Sequence, residues 1–265
     1  MTRAPIHVGI GGWTFAPWRD NFYPKGLPQA RELEYAARQV TAIEVNGTYY
    51  RLQSRDSFRK WAEAVPPGFV FTVKASRYCT NRRVLAEAGE GIANFLGQGI
   101  AELGDALGPI LWQFMPTKQF DPADFAAFLA LLPREQDGVR LRHALEVRHE
   151  SFKDPRFIDL ARDHGAAIVF ADSPDYPAIA DLTADFVYAR LQDAREDEAT
   201  GYPPAALDHW AKVAGSWSEG HSPQGLDYVA DRAPASASGR EVFLFMINGA
   251  KRRAPAAAKA LIERL

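Results

Sequence analysis

Eight short segments rich in β-branched and aromatic residues alternate with longer amphipathic segments, and this alternation narrows the folds open to the chain. The strand candidates are Ile6–Gly11, Ala42–Asn46, Phe69–Ala75, Pro109–Phe114, His143–His149, Ala167–Asp172, Asp185–Leu191 and Glu241–Asn248. Helical patterns fall between them at Ala30–Gln39, Arg55–Ala64, Glu90–Leu107, Pro122–Leu132, Pro155–Asp163, Pro204–Ser216 and Pro255–Leu265. Strands separated by helices pair in parallel, and eight such units close into a barrel. We therefore predict one α/β domain over residues 1–265, a single (β/α)8 barrel of the TIM type.

The ends of the helices and the loops between elements agree with this arrangement. Four helical patterns open with Pro, and Asp precedes two of them at Asp121-Pro122 and Asp154-Pro155, as expected of helix N-caps. The stretch Ser173–Ala184 holds two prolines and leaves little room for a helix. A Ser-, Pro-, Ala- and Gly-rich segment at residues 219–239 precedes the eighth strand, and we predict it to be a flexible insertion.

Polar residues gather at the carboxyl ends of the predicted strands, which otherwise read as apolar runs. Glu44 and Asn46 share one face of strand two, and Glu146 and Arg148 share one face of strand five, because side chains alternate along a strand. The other strand ends carry Lys74, Asp172, Arg190 and Asn248. Active sites of such barrels form at this face, so we expect these eight side chains to converge on one cavity.

The residue types suggest a role for each side chain. Glu44, Glu146 and Asp172 are the candidate catalytic acids or bases. Cations, amides and rim aromatics are candidates for binding a polar or anionic ligand. The binding set is Trp13, Asn46, Tyr49, Lys74, Gln113, Arg148, His149, Arg190, Asn248 and Arg253.

The segment after the eighth strand suggests where an anion would lie. Lys251, Arg252 and Arg253 come directly before Pro255, which opens the last predicted helix. Loops after strands seven and eight often bind phosphate in this fold, and a helix N-terminus attracts anions. We expect the negative part of a ligand near Arg190, Asn248 and the start of that helix. The alternative is that Lys251, Arg252 and Arg253 form a solvated loop.

Composition restricts the cofactor and the compartment. A single cysteine, Cys79, excludes a disulfide framework and any CxxC motif, and no HxH or HExxH spacing occurs. No metal ligand set and no cofactor is predicted, while a divalent metal held by Glu44, Glu146 or Asp172 stays open. The formal charge of −2 disfavours nucleic acid as a partner. Without a signal-peptide pattern or a long apolar run, we expect a cytoplasmic protein with no membrane partner; the sequence leaves the oligomeric state open.

Several motifs resemble the domain of unknown function family 72, the YecE-like proteins. They are Gly9-Ile-Gly-Gly-Trp13 with Trp18 and Phe22-Tyr-Pro24, Ile43–Leu52, Phe71–Ala75, Gln113–Pro116 and Glu146–Phe152. The resemblance covers nearly the whole chain and implies a TIM-like barrel with no settled activity. The chain departs from the family's usual residues at Phe152 (usually Trp), at Gln192-Asp193 (usually His-Gly) and at Ile247 and Gly249 (usually Asn and Asp).

Four functions are compatible with these observations. The first is an enzyme, a hydrolase or lyase in class, acting on an anionic small molecule such as a phosphorylated sugar or nucleotide. The second is a nucleic-acid-processing hydrolase, and the third is a non-catalytic binding protein with a degenerate site. The fourth is a glycosidase using Glu44 and Glu146, for which the distance between the two carboxyls would be decisive.

Overall fold

The computed structural model describes residues 3–265, apart from the side chain of Asp20, and contains a closed barrel of eight parallel strands, which confirms the predicted fold class. Each strand pairs with its neighbours in chain order, and the first pairs with the last. The strands are β1 Ile6–Gly11, β2 Ala42–Val45, β3 Val70–Lys74, β4 Leu107–Gln113, β5 His143–Glu146, β6 Ala167–Asp172, β7 Phe186–Leu191 and β8 Glu241–Met246.

Helices surround this barrel. They are α1 Glu32–Ala36, α2 Arg55–Glu63, α3 Arg77–Thr80, α4 Gly89–Gly97, α5 Pro122–Ala130, α6 Pro155–His164, α7 Pro204–Ser218 and α8 Ala254–Ile262. Asp121 and Asp154 cap α5 and α6 by accepting backbone N–H bonds, as predicted. None of the helices in residues 3–265 has the length and apolar character needed to span a bilayer.

One helical prediction was wrong in extent, and one helix was not predicted. The pattern at Glu90–Leu107 predicts one helix, but α4 stops at Gly97, and a 3-10 segment, Ile100–Ala106, follows. Gly99 separates them because its φ of 108° lies in the left-handed region, which ends a helix. The short helix α3 was not predicted at all.

The segment at residues 219–239 packs against the connection between β6 and β7. That connection, residues 173–184, is described throughout and contains no helix, as its prolines predict. The buried Asp181 carboxylate accepts hydrogen bonds from the backbone N–H groups of Val229 (2.7 Å) and Ala230 (3.0 Å). Arg240 donates to the Gly220 carbonyl at 2.6 Å. The flexibility of this segment stays a prediction.

Alternation along the strands separates two apolar layers. One cluster fills the barrel interior and includes Ala42, Val70 and Tyr188. The other lies between the strands and the helices and includes Ile43, Phe71 and other outward residues of the same strands. Side chains two positions after an interior residue therefore also point inward. This rule determines which side chains at the strand ends point into the barrel mouth.

Gly9 in β1 allows the interior to pack closely. A Cβ atom at this position would lie 2.3 Å from the Ala42 carbonyl oxygen and 2.8 Å from the Phe245 ring. Gly11, two residues on, is similarly confined by Ile247, whose Cδ1 would lie 2.8 Å from an added Cβ. Gly9 and Gly11 thus allow close packing in the barrel interior and at its mouth.

Replacing Gly9 with Ala should lower the free energy of unfolding by about 2–3 kcal/mol, because the new methyl group would force backbone to move. Chemical denaturation measures this change. Gly97→Ala is the matched control: an added Cβ meets no atom within 4 Å, so stability should be unchanged or rise by up to ~1 kcal/mol. Equal stability of Gly9→Ala and the parent protein would contradict the packing described here.

Candidate functional site

Arg190 of β7 crosses the barrel interior and joins two carboxylates from other strands. Its Nε and Nη2 donate to the two oxygens of Glu44 in β2 at 3.1 and 3.0 Å. Its Nη1 donates to Glu146 in β5 at 2.6 Å. All three side chains are almost completely buried, at 0–2% exposure. A guanidinium suits this position because its planar fork matches carboxylate geometry.

Further donors satisfy both carboxylates. Glu146 also accepts hydrogen bonds from the Gln113 amide at 2.7 Å and from Arg148 at 2.9 and 3.0 Å. Glu44 accepts a bond from the Tyr188 hydroxyl at 2.7 Å. Burial alone would raise the pKa of Glu146, but the guanidiniums of Arg190 and Arg148 and the amide of Gln113 lower it to about 2. Glu146 is therefore a carboxylate at neutral pH.

Sequence reasoning missed Thr72 and Tyr188. Both are fully buried in the interior, and their hydroxyls lie 2.9 Å apart, so Thr72 connects through Tyr188 to Glu44. The signal was present, because Thr72 stands two residues before Lys74 and Tyr188 two residues before Arg190. The same alternation that identified the strand ends places these hydroxyls directly below them.

The Lys74 ammonium lies above this network and has no hydrogen-bond acceptor within residues 3–265. Its Nζ sits 4.4 Å from the centre of the Tyr49 ring, and that ring is held in turn by Asn81, which donates to the Tyr49 hydroxyl. Burial lowers the pKa of Lys74 to about 8, Arg190 adds to this, and the carboxylates of Glu44 and Glu146 oppose it.

A cavity of about 330 Å³ opens above Arg190, and we call it the charged cavity. Of the eight side chains predicted to converge, five line it: Asn46, Lys74, Arg148, Arg190 and Asn248. The predicted binding residue Gln113 also lines it, while Glu44 and Glu146 do not line it and are bonded to Arg190, which does. The remaining lining residues are Gly11, Trp18, Tyr50, Met246, Ile247, Lys251 and Ala254.

A second cavity of about 290 Å³ adjoins the first, and we call it the aromatic cavity. Trp13, a predicted binding residue, lines it together with Phe15 and Trp61, and the Trp13 and Trp61 rings meet edge to face at 5.2 Å. Gly11, Asn46 and Lys251 line both cavities. The two spaces are therefore adjacent, one polar and one largely apolar.

Asp172 is not among the residues that line either cavity, so its predicted convergence was wrong. It pairs across the sheet with Leu191 and follows the outward positions Ile168 and Phe170, whereas Ala171 lies beside Arg190 on the inner face. Burial, together with the nearby Asp193 carboxylate, raises its pKa to about 6. Asp172 thus lies outside the barrel mouth.

Three predicted binding residues line neither cavity: Tyr49, whose ring contacts Lys74, and His149 and Arg253, which have local partners. The Nδ1 of His149 accepts a bond from the Ser151 backbone N–H at 3.1 Å and caps the turn after β5. Arg253 donates to the Glu196 carbonyl oxygen at 3.1 Å. The predicted position of an anion at the last helix therefore retains Arg190, Asn248 and Ala254, the first residue of α8, but not Arg253.

The residues after β7 and β8 that differ from the usual residues of the family contact one another. The Gln192 amide oxygen accepts a bond from Asn248 at 3.0 Å, and Asn248 has the unusual positive φ of 61°. Gly249 also has a positive φ, and a Cβ there would lie 2.8 Å from the Gln192 carbonyl oxygen. Gln192 thus orients Asn248 at the cavity, while Gly249 lets the two loops approach.

The structure gives no ready metal centre within the described part of the chain. Among the side chains that the structure describes, no group of three or more His, Cys, Asp and Glu residues is arranged to hold a metal ion. The oxygens of Glu44 and Glu146 already accept bonds from cationic and polar donors. The choice between no cofactor and a carboxylate-held metal stays a prediction.

Replacing Arg190 with Met should lower the free energy of unfolding at pH 7 by roughly 3–5 kcal/mol, because two buried carboxylates would lose their shared cation. The deficit should shrink toward pH 4, since the orphaned carboxyls would then bind protons in the folded state. Denaturation at several pH values measures both effects. Arg140→Ala, which removes an exposed pair with Asp185, is the control and should change stability by less than about 0.5 kcal/mol. A small, pH-independent effect of Arg190→Met would refute the assignment.

Lys74→Met should raise the free energy of unfolding at pH 7 by on the order of 1 kcal/mol, because it removes a poorly solvated charge. Folding lowers the pKa of Lys74, so the buried ammonium destabilises the folded protein fully below pH 8. It disappears between pH 8 and about 10.5, where the folded protein loses the proton before the unfolded chain does. Lys60→Met, at an exposed lysine paired with Asp56, should give no such gain. A less stable Lys74→Met protein at pH 7 would contradict this account.

Comparisons with known proteins agree with the fold. A family model described as protein of unknown function DUF72 matches residues 7–265. The chain is 23% identical over 160 residues to the UPF0759 protein YunF of Bacillus subtilis. The alignment covers 58% of this chain and 54% of YunF, about half of that relative's length.

A solved DUF72 family protein from Enterococcus faecalis has a TM-score of 0.70 at 16% identity, covering 99% of this chain and 98% of that one. One from Thermotoga maritima has a TM-score of 0.70 at 23% identity, with 97% of both chains covered. The family model spans nearly the whole chain, and the protein belongs to the DUF72 family.

Proposed function

We propose that the charged cavity binds a small anionic molecule, of the phosphorylated-sugar or nucleotide class, at the carboxyl ends of the barrel strands. The observation that carries this proposal is the Lys74 ammonium. It lines the cavity with no hydrogen-bond acceptor among residues 3–265, so its donors are available to a ligand.

The local charge balance supports an anionic ligand. The carboxylates of Glu44 and Glu146 are matched by the guanidiniums of Arg190 and Arg148. The Lys74 ammonium then adds one positive charge that no carboxylate contacts within the described residues. A phosphate or carboxylate would supply the missing counter-charge, in surroundings where water screens the interaction poorly.

The adjoining aromatic cavity suggests where the rest of such a ligand would lie. Its rings, Trp13 and Trp61, offer apolar surface beside the charged cavity. Together the two cavities provide about the volume that small-molecule sites usually have. A ligand with a negative group at one end and a sugar or base ring at the other fits this division.

The two buried carboxylates support a positioning role better than acid–base chemistry. A glycosidase needs one carboxyl that is protonated and can reach the substrate. Glu146 instead has a pKa of about 2, and both carboxylates sit beneath Arg190 with their oxygens occupied. In this proposal Glu44 and Glu146 hold Arg190 in place, and the ligand contacts Lys74 and Arg148.

One surface feature favours the second candidate, a nucleic-acid ligand. The rim over β2 and β3 exposes Tyr50 (67%) and Tyr78 (62%), which can stack on bases. Four arginines near them form no ion pair within the described chain: Arg51, Arg77, Arg82 and Arg83. A single strand could track this rim while one of its phosphates reaches the cavity.

Titration calorimetry with inorganic phosphate and with glucose 6-phosphate tests the proposal. At pH 7 we expect binding with a Kd on the order of 1 mM or below, weakened at least about tenfold by Lys74→Met. Binding should decline as the pH rises through about 8, because Lys74 then loses its charge. Lys60→Met also removes one positive charge and should bind as the parent protein does.

The outcomes separate the candidates. Absence of binding by the parent protein, or equal binding by Lys74→Met, would refute the anion proposal. Fluorescence anisotropy with a labelled single-stranded DNA provides the other arm. Binding of the DNA that is lost in Arg77→Ala/Arg83→Ala, with no binding of either phosphate compound, would favour the nucleic-acid candidate instead.

A further inference from the structure

We infer that Lys74 is a nucleophilic amine that forms an imine with a small aldehyde or ketone carrying a carboxylate or phosphate group. This inference rests on the proposed function, since the anionic group would bring the carbonyl carbon to the amine. It adds a reaction and narrows the ligand class to carbonyl-containing anions.

The geometry around Lys74 is what such an amine needs. Lys74 lines the charged cavity, whose volume of about 330 Å³ admits a small metabolite. No acceptor in residues 3–265 engages the amine, and the Tyr49 ring at 4.4 Å fixes its position from one side. Arg148 lines the same cavity and can hold the anionic end of the substrate.

The electrostatic surroundings make the amine available. Burial, followed by the nearby Arg190 guanidinium, lowers the pKa of Lys74 to about 8. About a tenth of the molecules then carry the neutral amine at pH 7, compared with fewer than one in a thousand for an unperturbed lysine. Glu44 and Glu146 raise the pKa of Lys74 and so oppose this effect, but both carboxylates are paired with Arg190 and neither is hydrogen-bonded to Lys74. Amines activated by desolvation and a neighbouring cation are effective nucleophiles.

The reaction balances without a further reactant. The Nζ lone pair bonds to the carbonyl carbon, and the C=O π pair moves to oxygen, giving a carbinolamine. Breaking the C–O bond releases that oxygen as water, which takes both protons lost from nitrogen. One ammonium and one carbonyl compound thus yield one protonated imine and one water, with charge conserved. The cationic imine can then accept electron density from an adjacent bond of the substrate, as carbon–carbon bond-cleaving lyases require.

Reductive trapping tests the inference. The full-length protein is incubated at pH 7.5 with glyoxylate, an anionic aldehyde, and cyanoborohydride, and labelled lysines are quantified by peptide mass spectrometry. We expect Lys74 to be labelled at least about tenfold faster than the exposed Lys60, whose pKa is raised by Asp56. Excess inorganic phosphate should protect Lys74, and acetaldehyde, which lacks the anionic group, should label it much more slowly than glyoxylate does.

Two measurements on the parent protein separate this inference from the proposed function. Phosphate binding in the calorimeter requires only the positive charge of the site, whereas trapping requires a reactive amine at Lys74. If the parent protein binds phosphate but Lys74 is labelled no faster than Lys60, the imine inference fails and the proposed function stands. If neither phosphate binding nor selective labelling occurs, both fail. Preferential labelling of Lys251, which also lines the cavity, would overturn the assignment to Lys74.

Discussion

The mouth of the barrel depends on one buried interaction, the guanidinium of Arg190 held between Glu44 and Glu146. These groups come from β7, β2 and β5, so the interaction ties together strands that are not neighbours in the sheet. Burying three charges is costly, and the arrangement is tolerable because hydroxyl, amide and guanidinium donors satisfy the carboxylates. The network replaces apolar packing as the upper layer of the core and forms the floor of the cavity.

This arrangement also explains the behaviour of Lys74. The carboxylates that would ordinarily pair with it are already committed to Arg190 and Arg148, so the ammonium faces the cavity without a partner among residues 3–265. Anion binding and amine reactivity are two consequences of this ammonium having no carboxylate partner. The protonated amine attracts a negative group, and the small free-amine fraction can attack a carbonyl. The network thus leaves Lys74 without a counter-charge, and energetically unsatisfied groups are common at functional sites.

The sequence predicted the barrel and much of its mouth because both follow from periodicity. Apolar runs between helical segments predict the parallel strands, and alternation places Glu44 and Glu146 inside. Applied to β6, the same alternation would have excluded Asp172, which has the outward parity of Phe170, and it would have identified Tyr188. Other features depend on contacts between distant segments. Neither the pairing of Arg190 with both carboxylates nor the joining of the two cavities at Lys251 leaves a local pattern in the sequence.

We infer that Lys74 is a cation left over when arginines neutralise the buried carboxylates. Crystals soaked in selenate, with anomalous data collected at the selenium edge, test it most directly, because the anion's position is then observed. We expect an anomalous peak in the charged cavity within hydrogen-bonding distance of Lys74 Nζ, with Arg190 still joined to Glu44 and Glu146. A cavity without selenate, in which Lys74 is bonded to Glu44 or Glu146, would contradict it.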